Sequence, residues 1–168
     1  PLLDHRFSDM IQKFKNTKSV VVHSGLGVSE TVLRRGLDAM SDTQHKTTLC
    51  ISAESIGKNF EFNRQGSNWE TFLRYIDIIK EYDVAIQFAS TYSNLNITDY
   101  VKFNTMFHEY PISMNMVYDP AFMSVYNLDD ETKKQVINDI KQSRLSNSKN
   151  ANEIINTINQ PTNEKLRQ

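Results

Sequence analysis

Arg64, in the stretch FNRQGSNW over residues 62–69, is the side chain best suited to chemistry in this sequence. A guanidinium presents its donors as a planar fork and can clamp a carboxylate or a phosphate through two parallel bonds. Three more polar residues stand at or just beyond the ends of apolar runs: Ser24, Ser52 and Glu54. Hydroxyls and a carboxylate in such places can hold a polar ligand against a sheet. Each also has a plainer reading. Ser24 with Gly25 suits a turn, Glu54 or Ser55 suits a helix cap, and Arg64 suits an ordinary surface position. His23 has no second His or Cys at ligand spacing, so no metal site is expected, and Cys50 reads as an inert core thiol.

These residues need strands and helices to position them, and the hydrophobic pattern supplies both. Residues 4–16 place Phe7, Met10, Ile11 and Phe14 at helical spacing, and residues 18–23 follow as a β-branched run. Ser29 and Glu30 then open a helix through Val32, Leu33, Leu37 and Met40, and KTTLCIS over residues 46–52 is the next strand. Gly66 and Ser67 precede a long amphipathic helix carrying Trp69, Phe72, Leu73, Ile76 and Ile79, where Trp69 and Phe72 read as core. DVAIQFAST over residues 83–91 is a third strand; Thr98 is expected to cap a helix over residues 100–110, stopped by Pro111. ISMNMVY over residues 112–118 is a fourth, followed by a short apolar piece at residues 122–126 and a helix from Asp129 to about Arg144. A short helix with Ile154, Ile155 and Ile158 and a frayed tail after Pro161 complete the reading.

Strand starts near Lys18, Lys46, Asp83 and Ile112 recur at intervals of about thirty residues, the size of a βα unit. Alternation of this kind predicts right-handed crossovers and a parallel sheet covered by helices. The expected fold is therefore α/β, a partial TIM-like βα barrel over residues 1–145 with a C-terminal helix and tail over 146–168. A doubly wound sheet is the alternative. In either, ligands sit at the carboxyl ends of the strands, which here are followed by His23, Ser24 and Gly25, by Ser52, Ala53, Glu54 and Ser55, by Thr91, Tyr92, Ser93 and Asn94, and by Tyr118, Asp119 and Pro120.

Composition narrows the partners. Nineteen Lys and Arg against twenty Asp and Glu give a formal charge of −1, with no basic stripe to mark a nucleic-acid surface. Apolar runs are strand-sized, far short of the roughly twenty residues a membrane helix needs. One cysteine in 168 residues excludes an intrachain disulfide, which agrees with a reducing compartment, and a cytoplasmic location is expected. The chain opens at Pro1 without an initiator Met or a basic-then-apolar leader, and an N-terminal part is expected to be missing.

One block carries a family likeness. SAESIGKNFEFNRQGSNW, residues 52–69, resembles the SIDSIG…R-x-G-S-x-W stretch of radical SAM proteins with a twitch-type C-terminal extension. VVVHSGLGVSETVLRRGL (20–37) is similar to that family's third barrel strand and the T-N-G turn after it, with His23 in place of Thr and Ser24 in place of Asn. FASTYSNLNITDY (88–100) and MNMVYDPAFMSVYNLDDETKKQV (114–136) resemble its later strands and the segment before its final helix, and the opening Pro1, Leu2 and Leu3 resemble the end of its G-G-E-P-L-L motif. The likeness spans most of residues 1–140.

The resemblance implies reductive cleavage of S-adenosylmethionine to a 5′-deoxyadenosyl radical that attacks an unidentified substrate. It places Ser24, Ser52 and Glu54 beside the bound S-adenosylmethionine and Arg64 against its carboxylate. In this family a 4Fe-4S cluster hangs on three cysteines of a C-x-x-x-C-x-x-C loop. Cys50 alone cannot replace them, so the cluster is expected only on a missing N-terminal segment or a partner chain, which would also cover the open strand edge. A non-catalytic βα-barrel fragment acting as a binding or scaffold module is the competing reading, and an unrelated α/β protein for a phosphorylated small molecule a third. Arg64→Ala is expected to weaken S-adenosylmethionine binding while sparing the fold, and Ser52 and Arg64 to face one cleft.

Overall fold

The computed structural model describes residues 2–14 and 16–160. Four strands form a single parallel sheet: β1 (Ser19–Ser24), β2 (Lys46–Ser52), β3 (Ala85–Tyr92) and β4 (Ile112–Met116), in the order β1-β2-β3-β4. Helices α1 (Phe7–Ile11), α2 (Glu30–Ser41), α3 (Gly57–Asn63), α4 (Trp69–Ile79) and α5 (Tyr100–Met106) precede or link the strands, and α6 (Asp130–Gln142) and α7 (Lys149–Ile158) follow them. The fold is α/β, as the alternating pattern requires. Because each strand is laid down beside its predecessor in the same direction, every crossover lands on the same side of the sheet.

Side-chain alternation makes this one-sidedness visible. The register aligns Val22 with Leu49 and Leu49 with Ile86, and likewise Ile51 with Phe88 and Phe88 with Ile112. These residues join α1 to α5 in one hydrophobic cluster through Phe7, Ile11, Leu33, Leu37, Phe60, Phe72, Ile76 and Phe103. A second cluster continues on the same face at the far edge, where Tyr92 and Met116 pack with Val136 and Ile140 of α6 and Ala151, Ile154 and Ile158 of α7. The opposite face carries Val21, His23, Thr48, Cys50, Ser52, Ala85, Gln87, Ala89, Thr91, Ser113 and Asn115. None of them belongs to either cluster, and Val21 is 52% exposed. A parallel sheet ordinarily has both faces covered; here one is packed and the other, of mixed polar and apolar residues, lies outside both clusters.

Several elements differ from the sequence expectation for identifiable reasons. The first helix is confined to Phe7–Ile11. Asp4 turns the entry by accepting the Arg6 backbone N–H at 2.9 Å, and Phe14, 43% exposed, adds nothing to the buried stripe. Thr98 caps nothing, because it lies inside a 3-10 turn, Ile97–Asp99, and α5 ends at Met106 rather than Tyr110. The last strand stops at Met116, and the apolar piece beyond it forms two 3-10 turns, Ala121–Met123 and Val125–Asn127. Ser29 and Asp129 cap α2 and α6 as their side-chain chemistry suggests, accepting from Val32 and Thr132. The α7 helix packs into the second cluster, so the segment after residue 145 is part of the folded body up to the end of that helix. Pro1 and the expected frayed tail from Pro161 lie outside the described residues. No helix among the described residues is long and apolar enough to cross a membrane.

Candidate functional site

The carboxyl ends of β1 and β2 meet the short helix α3, and three residues converge there. After Ser52 the chain continues in register for one more residue, since Ala53 N–H donates to Ala89 O at 3.3 Å. The buried Ser90 hydroxyl donates to Ala53 O at 2.6 Å. This anchor fixes the direction in which the chain leaves the sheet, and the next residue, Glu54, ends 6% exposed. Helix α3 then carries the backbone outward and returns Arg64 at its C-terminal cap position. There Arg64 Nη2 donates to Glu54 Oε2 at 2.7 Å, with side-chain exposures of 22% and 8%. A Cβ on Gly25 would approach Arg64 Nη1 to 3.4 Å, so the guanidinium lies directly against the turn after β1. Its Cζ sits 6.0 Å from the Phe60 ring centre, and its buried Nε has no hydrogen-bond partner.

The sequence candidates thus divide. Glu54 and Arg64 come together as a nearly buried ion pair, so Arg64 is neither a free rim cation nor a plain surface arginine. Glu54 and Ser55 cap no helix: the residue before α3 is Ile56, without a side-chain cap bond. Ser24 accepts the Leu26 N–H at 3.1 Å, the turn role that its position suits. By register Ser24 pairs with Ile51 and shares the packed side of the sheet, whereas Ser52 alternates to the open side. No hydrogen bond joins Ser52 or Ser24 to the Glu54–Arg64 pair. His23 and Cys50 are neighbours across β1 and β2 on the open side. Cys50 is 2% exposed, and burial pushes its thiol pKa upward.

Beyond the pair, α3 and the turn into α4 are fastened by polar contacts that the sequence did not single out. Glu61 accepts the Trp69 N–H at 3.0 Å and Asn68 Nδ2 at 3.2 Å, and the Trp69 amide holds its carboxyl below the usual range. Asn68 caps α4 by accepting from Thr71 at 2.9 Å. Gly66 takes φ +87° between them, a region in which a side chain is strained. The glycine-bearing turns 25–28 and 66–68 face each other across a cleft of about 200 Å³ floored by Phe60, Phe72 and Tyr75. Trp69 stacks on Phe72 at 5.4 Å and, partly buried, packs against the core.

Asp99 is the residue at this end that sequence reasoning missed. It is 2% exposed, and its Oδ2 accepts both Ile56 N–H at 3.2 Å and Asn59 Nδ2 at 3.1 Å. An Asp after a strand gives no signal of a partner forty residues away. Among the described residues no group of three or more His, Cys, Asp or Glu is arranged to hold a metal ion. A 4Fe-4S cluster does not fit this chain, whose one thiol is buried. No family model, no curated protein and no solved structure matches the chain.

Proposed function

We propose that this chain is the S-adenosylmethionine-side part of a radical SAM enzyme, with its four strands forming part of a TIM-like βα barrel. The observation that carries the reading is the one-sided sheet: strands in sequential order, helices on one face, and a face outside both hydrophobic clusters on the other. Curled into a barrel, that surface becomes a lumen lined by His23, Ser52, Gln87, Thr91 and Asn115. At its C-terminal rim stands the Glu54–Arg64 pair, in the block of residues 52–69 that resembles the family. Arg64 retains a buried Nε–H with no partner, and a ligand carboxylate would satisfy it while Glu54 faces the ligand's ammonium group. The cluster is the part these residues do not supply, and its ligands would come from outside this chain. A cluster held outside this chain would supply one-electron chemistry there, and the role of Arg64 and Glu54 would be to bind and orient the ligand.

The outermost strands β1 and β4, each paired on one side only, favour a second reading, a non-catalytic module whose open face and edges dock a partner. Calorimetric titration of S-adenosylmethionine into the intact protein separates the two. Binding that weakens roughly 10- to 100-fold in Arg64→Lys, which keeps the charge beside Glu54 but loses the fork, supports the enzyme; this corresponds to about 1.5–3 kcal/mol of charge-assisted contact. Absence of binding, or equal affinity in the variant, supports the module.

A further inference from the structure

We infer that Asp99 is a positioning residue for the Glu54–Arg64 pair, setting from the β3 side the orientation of the helix that delivers Arg64. Helix α3 has seven residues and no side-chain cap of its own, and a helix so short draws little stability from its own ladder. Its first turn is held instead by Asp99, in the 3-10 turn after β3, which accepts Ile56 N–H at 3.2 Å and Asn59 Nδ2 at 3.1 Å on one oxygen. One turn further, Asn63 Nδ2 donates to Asn59 O at 2.9 Å and to the buried Ser55 hydroxyl at 3.0 Å. The chain of bonds therefore runs from Asp99 through Asn59 and Asn63 to Ser55, and flanks the pair on both sides, since Glu54 precedes Ser55 and Arg64 follows Asn63.

Asp99 is itself held rigidly. Asn96 Oδ1 accepts Ser93 N–H at 2.8 Å and Asn96 Nδ2 donates to Thr91 O at 3.1 Å, and Asp99 N–H returns to Asn96 O at 3.0 Å. Asp99 is a carboxylate 2% exposed, with two N–H donors and no cation among its contacts. Substituting it removes the polar attachment of the first turn of α3, leaves Phe60 packed in the core, and leaves the sheet register intact, because none of its partners lies in a strand.

The test reads Arg64 directly, by hydrogen exchange of its side-chain Nε–H and of backbone amides in 15N-labelled protein. In Asp99→Ala the Arg64 Nε–H and the Ile56 amide should exchange at least tenfold faster, while the Leu49 and Ile51 amides of β2 keep their protection. Asp99→Asn retains a carbonyl oxygen as acceptor and should restore most of it. An unchanged Arg64 Nε–H in Asp99→Ala overturns the inference, as does a loss of protection spread equally over the β2 amides, which would make Asp99 a general stabiliser. The functional consequence rests on the reading above: in the intact protein, S-adenosylmethionine affinity should fall about tenfold in Asp99→Ala and recover in Asp99→Asn, and unchanged affinity contradicts positioning. If the wild type binds no S-adenosylmethionine, the functional reading fails and the exchange experiment still decides the role of Asp99.

Discussion

Replacing Arg64 by alanine should destabilise the protein more than replacing Glu54 by glutamine, and the two changes together should cost less than the first alone. Glu54 is the more deeply buried partner, with its side chain 8% exposed against 22% for Arg64. Arg64→Ala strands a carboxylate that water scarcely reaches. Removing one partner of a fully buried pair costs about 3–5 kcal/mol. Partial hydration of this rim lowers that, and about 2 kcal/mol is expected, including the packing lost over Phe60. Glu54→Gln keeps an oxygen for Arg64 Nη2 and leaves a guanidinium that can hydrate, so about 1 kcal/mol is expected. In the double variant no charge remains buried, and Glu54→Gln recovers about 1 kcal/mol of the Arg64→Ala loss. Urea unfolding followed by Trp69 fluorescence measures all three; in a chain of this length 2 kcal/mol is also about 4–8 °C in melting temperature. Simple additivity within about 0.5 kcal/mol, or a double variant less stable than Arg64→Ala, would refute the claim that the pair is coupled and buried. The sequence reading expects Arg64→Ala to spare the fold; this geometry adds that the fold is kept at reduced stability.

Four further outcomes follow from the same structure. Ser90→Ala removes the hydroxyl that donates to Ala53 O at 2.6 Å and should cost about 1–2 kcal/mol in urea unfolding, since a buried carbonyl loses its side-chain donor. Gly66→Ala, at φ +87°, should cost about 1 kcal/mol by the same measurement even though an added Cβ would meet no atom within 4 Å. Cys50, buried and with its thiol pKa raised, should react with a disulfide reagent at pH 8 at least tenfold more slowly in the native chain than in urea, and the chain reconstituted with iron and sulfide should hold no stoichiometric cluster; a fast native reaction or visible cluster absorption would contradict the burial and the ligand count respectively.

Much of the sheet was legible in the sequence because its signals are local. KTTLCIS reads as a strand and is one over the same seven residues, Lys46–Ser52, since its β-branched and apolar residues sit between turn-forming neighbours. Ser29 and Asp129 announced their helices for the same reason, each cap reaching only three residues ahead. Parallel order followed from the βα spacing. What was illegible depends on contacts remote in sequence. Glu54 read more readily as a helix cap than as a ligand contact, and only the return of Arg64 across α3 decides that it forms an ion pair. Asp99 reaches back to Ile56 over forty-three residues, a distance at which no spacing rule operates. Thr98 looked like a cap because Thr before a helix usually is one, but the 3-10 turn that places Asp99 uses that stretch of backbone first. The open face was hidden for another reason: alternation reveals two faces, while the residues cannot say which one lacks a covering layer.

The most direct test of the proposed radical SAM function is product analysis of the intact protein, purified without oxygen and incubated with S-adenosylmethionine and a one-electron reductant. Release of 5′-deoxyadenosine and methionine, reduced at least tenfold in Arg64→Lys, is the predicted result. An intact, folded protein that leaves S-adenosylmethionine uncleaved would contradict the proposal and leave the open face of this sheet as a docking surface.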